Sequence, residues 1–403
     1  MSKIKIGLVG SGFVSHLHMN ALTRVVGVPV EVAAVASRTE KNVRAFAEQF
    51  GIPRYYTDYR HLLDDKEIDI IDVCVPNIIH KQVCIDAAEA GKHIICEKPL
   101  TGYFGEELAD KDVEVGSVSK KVMYENAMRN AEEILQAAKD NNVKLCYAED
   151  FIYAPPVAKA KRLLKEGGSA ILDIRSEESH SGSHAPYSRH WKLSGGGSLL
   201  RLGSHPLGLV IHLKNFEGQI RDGKPIGVKS VMAEMGTITH TPAFKKAKSK
   251  WIVDEWHDVE DWAAVLINFE DGTKGVVTSN DITLGGIVNT LEIRTSNSVI
   301  KVDMAANDAI KAFAPASEVF GDEYISEKIE TKAGWSFPSP DEDWMRGYPQ
   351  EMQDFVEAVY YDREPISDGD LGKQVVQLTY ASYLSAELGR RIDLDELDKQ
   401  LKK

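Results

Sequence analysis

Ile4-Lys-Ile-Gly-Leu-Val-Gly10-Ser-Gly12-Phe-Val-Ser15 opens the chain and decides how its first half is read. Lys3–Val9 is an apolar, β-branched run that ends in glycines, the pattern of a buried strand. Phe13–Arg24 has helical character. Gly10 permits a tight turn between the two, and Gly12 lets a pyrophosphate approach the helix N-terminus closely. Phe13 and Val14, the first helical residues, belong to the same dinucleotide-binding turn. Ser15 stands where a third glycine would complete the motif and is small enough for the helix to pack on the strand. The glycines alone are a weak signal, since such turns are common after strands. The strand before, the helix after and a second strand at Val30–Ala36 supply the context.

Further along, strand and helix alternate. Thr39–Phe50 is helical, with Thr39 as N-cap and Gly51 as the stop. Ile68–Val75 is a third strand, His80–Ala90 a helix stopped by Gly91, and His93–Cys96 another strand. Val143–Ala148 follows a long polar helix, Glu125–Asn141. This predicts an α/β domain with a parallel, doubly wound sheet over residues 1–150. The pattern changes at Pro155-Pro156. One helix, Val157–Lys165, leads into alternating segments at Ile171–Ser176, Val228–Met235, Trp262–Phe269, Gly275–Asn280, Leu291–Arg294 and Val299–Val302. They predict half-buried, mostly antiparallel strands in an α+β domain over 151–403. Helices at about Gln350–Tyr361 and Gly372–Leu388 close the chain. Thr101–Lys121 and residues 236–256 read as long loops.

The 403 residues carry a net charge of −13, with 43% hydrophobic and 27% charged residues. That is an ordinary globular balance, with enough chain for two cores. The negative charge disfavours nucleic acid and anionic membrane as partners. No apolar run approaches the ~20 residues of a membrane helix. The N-terminus enters a strand at once, leaving no room for a signal peptide. Cys74, Cys84, Cys96 and Cys146 lie in apolar or helical surroundings without a C-x-x-C pair. A cytoplasmic protein with reduced core cysteines is expected.

The end of the second strand selects the cofactor. A carboxylate there would bond the ribose hydroxyls and repel a 2′-phosphate. Ser37-Arg38 stands there instead, followed by Lys41 and Arg44. The expectation is NAD(P), with NADP favoured over NAD. Roughly one domain length past the glycines, Glu97-Lys98-Pro99 follows the strand His93–Cys96. A lysine beside a bound nicotinamide can give or take a proton during hydride transfer.

Five segments resemble the Gfo/Idh/MocA family, named for glucose–fructose oxidoreductase and inositol dehydrogenase. Val75-Pro76-Asn77-x-x-His80 resembles T-P-N-x-x-H, and Ala90-Gly-Lys-His-x-x-x-Glu97-Lys98-Pro99 resembles A-G-K-H-V-x-x-E-K-P. Ala148-Glu149-Asp150-Phe-x-Tyr-x-Pro155 resembles the A-E-N-x-x-x-x-P of the domain junction. Gly195-Gly-Gly-x-Leu-Leu-Arg201-x-Gly-x-His205 resembles G-G-G-x-L-x-D-x-G-x-H. Phe355 through Tyr383-Leu-Ser-Ala-Glu-Leu-Gly-Arg is similar to the family's ending. The resemblance implies an N-terminal Rossmann domain and a C-terminal domain built on a large open, mostly antiparallel sheet, with the last helices packing back toward the first domain. It implies NAD(P)-dependent chemistry on sugars or cyclitols. Pro76, Asn77, His80, Glu97 and Lys98 would lie at the cofactor, and Lys98 and His205 would move protons. Homodimers or homotetramers through the open sheet are expected.

Two features depart from the family. Arg201 stands where an acid precedes the histidine by four residues, and Gly208 where another acid usually follows. Without that aspartate His205 loses a carboxylate that could hold its tautomer. Arg201 either binds an anionic substrate group or points to a subunit contact while a different acid, Glu149 or Asp150, does the work. The spacing Arg201-x-x-x-His205 puts both on one face if the stretch is helical. The insertion Tyr103–Met123 is the second departure; a lid, a swap into a neighbour and a surface excursion are all open.

Histidines cluster at His180, His184 and His190. No ligand set closes there, so no metal is expected. The loop instead reads as a sugar site, in which Tyr187 and Trp191 stack on a pyranose and the imidazoles bond hydroxyls. Lys98, Glu149, Asp150, His184, Tyr187, Trp191, Arg201 and His205 form the expected substrate set. Three functions compete: a sugar, glycoside or cyclitol dehydrogenase, an enzyme that cleaves glycosides by transient oxidation with a tightly bound NAD, and a non-catalytic dinucleotide or sugar sensor. Intact Glu97-Lys98-Pro99 and His205 argue against the sensor.

Overall fold

Six strands build the first sheet: β1 Ile4–Val9, β2 Val30–Ala36, β3 Tyr55–Tyr56, β4 Ile70–Val73, β5 His93–Glu97 and β6 Leu145–Ala148. The coordinates are a computed structural model that describes residues 3–110, 113–305 and 310–401. The strands are all parallel, in the order β3-β2-β1-β4-β5-β6. Ile6, Leu8, Ile70, Ile71, Ile94 and Ile95 have no exposed surface. Continuous apolar runs of this kind need cover on both faces. The strand order reverses between β1 and β4, and the crevice at their carboxyl ends is where such sheets bind ligands.

A second sheet follows: β7 Ile171–Ser179, β8 Val228–Gly236, β9 Trp262–Phe269, β10 Lys274–Asn280, β11 Val288–Thr295 and β12 Val299–Asp303. Beyond it, β13 Ala312–Ala314 and β14 Gly334–Ser336 form a separate hairpin. A short β15, Ile392–Asp393, completes the large sheet in the order β12-β11-β7-β10-β9-β8-β15. Only the β7–β10 pair is parallel. The inner face carries Ala233, Val265, Val277 and Leu291, all buried. The opposite face leaves Met232 and Leu266, which pair across β8 and β9, 43% and 52% exposed.

The region expected to be mostly strand contains a long helix, Ser204–Asp222. It packs on β7, and Leu207, Leu209, Val210, Ile211 and Leu213 are buried in it. A helix buried on nearly all sides shows no amphipathic period, and Pro206 and Gly208 near its start further hide it. The last long helix, Gly369–Leu388, packs against Lys120–Asp140 of the first domain as well as against β8 and Ser204–Asp222. Tyr348–Tyr360 packs on the helix Phe13–Leu22.

The insertion after Pro99 is packed down on this chain. Tyr103 is fully buried and its N–H donates to Tyr380 Oη at 2.7 Å. Gly116 N–H donates to Asp258 Oδ2 at 2.8 Å. A Cβ on Gly116 would lie 2.1 Å from the Asp258 carbonyl oxygen, so the close approach requires glycine there. Lys111 and Asp112 lie outside the described residues.

Candidate active site

The cavity between the domains, about 1050 Å³, begins at the glycine turn and ends under the second sheet. Gly10 has φ +125°, and a Cβ there would sit 2.1 Å from the Cys74 carbonyl oxygen. Apart from its own neighbours along the chain, nothing lies within 4 Å of where a Cβ of Gly12 would be. Gly12 caps the helix Phe13–Leu22 and leaves space before its first turn. This is the cradle a pyrophosphate needs, with free backbone donors and no side chain in the way. Phe13, Val14, Ser37, Arg38, Pro76 and Asn77 line the same cavity. Ser11 Oγ donates to Ser37 Oγ at 2.9 Å. The sequence reading passed over Arg60, which also lines this end and is held by Asp58.

His80 lines the cavity but is used as a brace. Its Nδ1 lies 2.9 Å from the Pro99 carbonyl and its Nε2 2.8 Å from that of Val75. It thus ties the two proline motifs together, and burial lowers its pKa. Glu97 is braced likewise: its Oε2 accepts from Lys98 N–H at 2.9 Å, and its Oε1 lies 3.0 Å from His18 Nε2. His18 Nδ1 in turn contacts Asp72 at 3.0 Å. Burial opposes charge on His18, but Asp72 raises its pKa well above the ordinary value. With one ring nitrogen on each carboxylate, His18 joins Asp72 to Glu97, the residue before Lys98. The sequence reading missed this pair, whose members are 54 residues apart.

Lys98 Nζ donates to the Arg201 carbonyl oxygen at 2.8 Å. His205 faces the same cavity, stacked on Phe151 at 4.4 Å. Its Nδ1 lies 2.8 Å from Glu149 Oε1 and 3.2 Å from Asp150 Oδ1. The carboxylate absent from position 208 is thus supplied from the domain junction. Gly208 makes the room: a Cβ there would come within 3.1 Å of Glu149 Cγ and Oε2. Burial pushes the Glu149 carboxyl well up, and pushes Asp150 up to about 7. Burial, with Lys98 and Arg346 nearby, holds His205 well below its ordinary value. The donor atoms of Glu149, Asp150 and His205 lie within 4.8 Å of one another, and the two short contacts to Nδ1 account for the cluster as hydrogen bonding.

Three expectations about the substrate end need correction. Arg201 lines the cavity, but its guanidinium is paired with Asp281, which has no exposed surface, and it lies over Trp256 at 4.8 Å. Its charge is matched inside the protein by Asp281, while its Nε has no hydrogen-bond partner among the described residues. Arg201 and His205 do not share a helix, since Ser198–Arg201 ends before Ser204–Asp222 begins. Trp191 is 2% exposed, packs on Tyr383 at 4.8 Å with Lys120 over its ring, and does not line the cavity. His184 and Tyr187 do line it. Glu178, His180, Asn289, Arg346 and Tyr348 line it as well; of these the sequence reading had singled out only His180, as one of the loop imidazoles.

Fold and cavity together define a two-domain dinucleotide-binding protein whose lysine and histidine meet at the domain junction. The chain belongs to the Gfo/Idh/MocA family. The model of an oxidoreductase family with an NAD-binding Rossmann fold matches residues 4–112, and that of the GFO/IDH/MocA C-terminal domain matches residues 157–301. The chain is 30% identical over 226 residues to levoglucosan dehydrogenase of Pseudarthrobacter phenanthrenivorans, a match spanning 53% of this chain and 52% of that one. It is 22% identical over 397 residues to myo-inositol 2-dehydrogenase of Thermotoga maritima, covering 98% and 99% of the two chains. The structure of GenD2 from gentamicin A biosynthesis, in complex with NAD, superposes with a TM-score of 0.77 at 24% identity, over 98% of this chain and 97% of that one. Among the described residues, no helix is long and apolar enough to cross a membrane.

Proposed function

We propose that this protein is an NAD(P)-dependent oxidoreductase that moves a hydride between the nicotinamide and a carbinol or carbonyl carbon of a sugar, glycoside or cyclitol. The observation that carries this is the meeting of Lys98 and a carboxylate-anchored His205 in one cavity with the Gly10–Gly12 cradle. When bound, the dinucleotide supplies the hydride acceptor or donor. Gly10, Gly12, Phe13 and Val14 hold its pyrophosphate end, and Ser37 and Arg38 its adenosine end. No carboxylate stands at those two positions, which favours NADP.

In the oxidation direction, Glu149 and Asp150 anchor His205 through Nδ1, which leaves Nε2 facing the substrate. His205 Nε2 takes the hydroxyl proton as the carbon gives up its hydride. Lys98 Nζ, aimed by the Arg201 carbonyl, bonds the same oxygen and stabilises its developing charge. His184 and Tyr187 at the cavity mouth bind ring hydroxyls. Proton transfer from His205 returns the oxygen to a hydroxyl in the reverse reaction.

The open sheet face, with Met232 and Leu266 exposed, is the surface through which two copies would pair into a dimer or tetramer. Four cysteines with no disulfide accord with a cytoplasmic location. The test is a panel of neutral sugars, glycosides and cyclitols with NAD and NADP, read at the reduced nicotinamide band. Reduced cofactor is expected to accumulate with at least one neutral polyol. A bound cofactor that cleaves glycosides without accumulating reduced nicotinamide would replace this reading.

A further inference from the structure

Glu178 is the last residue but one of β7, on its inner face, where it pairs in register with Asn289 of β11 and Ser279 of β10. Side chains directly opposite on one face of neighbouring strands are in reach of one another. Glu178 is 6% exposed and Asn289 1% exposed, and both line the cavity. Among the described residues, Glu178 Oε2 and Asn289 Oδ1 are buried acceptors without a hydrogen-bond partner. Leaving such acceptors unpaired is costly. Glu178 Oε2 lies 3.9 Å from His205 Nε2, the atom that faces the reacting hydroxyl. The other charges that act on it are Lys98, Arg346, Asp150 and Glu327. Arg346 is held by Glu327 and by Glu342 at 3.1 Å, and Arg201 by Asp281. Lys98 is held by a backbone carbonyl and acts on both Asp150 and Glu178, and Lys328, which also lines the cavity, is held by the Gly182 carbonyl at 3.1 Å.

We propose that Glu178, with Asn289 beside it, is the specificity-determining acceptor of this site. It receives a hydrogen bond from a hydroxyl on the carbon next to the one that reacts, so the substrate is a neutral vicinal polyol rather than an acidic sugar. This rests on the dehydrogenase reading above. The hydroxyl gives its one proton to this pair of oxygens, whereas a substrate carboxylate has no proton to give either of them. Placed between them, the neighbouring hydroxyl fixes the carbinol against His205 and Lys98. Sites built to bond a hydroxyl reject the analogue that lacks it, because the buried acceptor is then left bare.

The test uses the full-length protein with its preferred cofactor. The parent is whichever of D-glucose, levoglucosan and myo-inositol is turned over fastest; it is compared with each of its monodeoxy counterparts and with D-glucuronate. For wild type, kcat/KM is expected to fall roughly 10- to 100-fold at one deoxy position, and D-glucuronate should be a poorer substrate than D-glucose. In Glu178→Ala the penalty at that one position should shrink to less than about threefold, with the penalties at other positions unchanged. Glu178→Gln keeps an acceptor and the side-chain volume, and should retain part of the discrimination. Quenching of protein fluorescence by reduced cofactor should titrate alike in all three, which shows that the variants are folded. Equal losses on the parent and all deoxy sugars in Glu178→Ala would overturn the proposal, as would a wild-type preference for D-glucuronate. Turnover of none of the neutral polyols would overturn the dehydrogenase reading itself, and this proposal with it.

Discussion

The two ends of the cavity are built by different means. The dinucleotide end is backbone: a turn at Gly10 that a Cβ would close against Cys74, and an open helix N-terminus at Gly12. The substrate end is side chains, with Glu149, Asp150, Glu178 and His205 all buried. Backbone sterics act within a few residues, so the first end is written in one short stretch of sequence. Buried side-chain clusters are assembled from distant elements. The His205–Glu149 contact spans 56 residues, and the Arg201–Asp281 pair spans 80. The first end binds what many proteins bind; the second holds the chemistry and the choice of substrate.

The comparison breaks most sharply at Lys98. Lys98→Ala should lower kcat by ~10²–10⁴-fold while reduced-cofactor binding, read by fluorescence, stays within a few fold. Wild-type turnover in that variant would remove Lys98 from the chemistry. Gly10→Ala should do the reverse, weakening dinucleotide binding by at least about tenfold and lowering thermal stability, because φ of +125° and the Cys74 carbonyl both exclude a Cβ. Unchanged binding of both cofactors would show that the turn is not the cradle. A smaller effect is expected at Arg38. Arg38→Ala should weaken NADP several-fold more than NAD in parallel titrations, a loss on the scale of one charge-assisted bond. Equal losses would assign Arg38 to the adenine.

The smallest effect is on stability. Burial pushes Glu178 up to about 8, from about 4.3 in an unfolded chain. The folded state therefore holds this proton more tightly, and the stability it contributes is lost as pH rises from about 4 through 8. Glu178→Gln cannot ionise. Its melting temperature relative to wild type should rise by about 1–3 °C between pH 5 and pH 9. A difference that stays flat with pH would place the ionised carboxylate in solvent.

Much of the fold was legible because strand and helix alternate plainly before Pro155, and because the later strands alternate apolar and polar residues. The helix Ser204–Asp222 escaped because burial on all sides erases its period. Trp191 was misplaced for a related reason: an aromatic in a histidine-rich loop reads as a sugar platform, and nothing local shows that Tyr383 and Lys120 cover it. The sequence left two readings of Arg201 open, a substrate anion and a subunit contact, and neither pointed to Asp281, which follows β10 directly and pairs with it. Glu149 and Asp150 were legible as candidate acids from their place at the junction. That Gly208 clears space for Glu149 could be seen only in three dimensions.

The central claim is that Glu149 and His205 act as one proton-handling unit. A double-mutant cycle on kcat tests it with Glu149→Gln, His205→Asn and the pair, using the neutral polyol that wild type turns over. Each single variant is expected to lose ~10²-fold or more, with the Michaelis constant largely kept, and the double variant should lose no more than His205→Asn alone. Losses that multiply in the double variant would mean that Glu149 acts elsewhere, and would contradict the account.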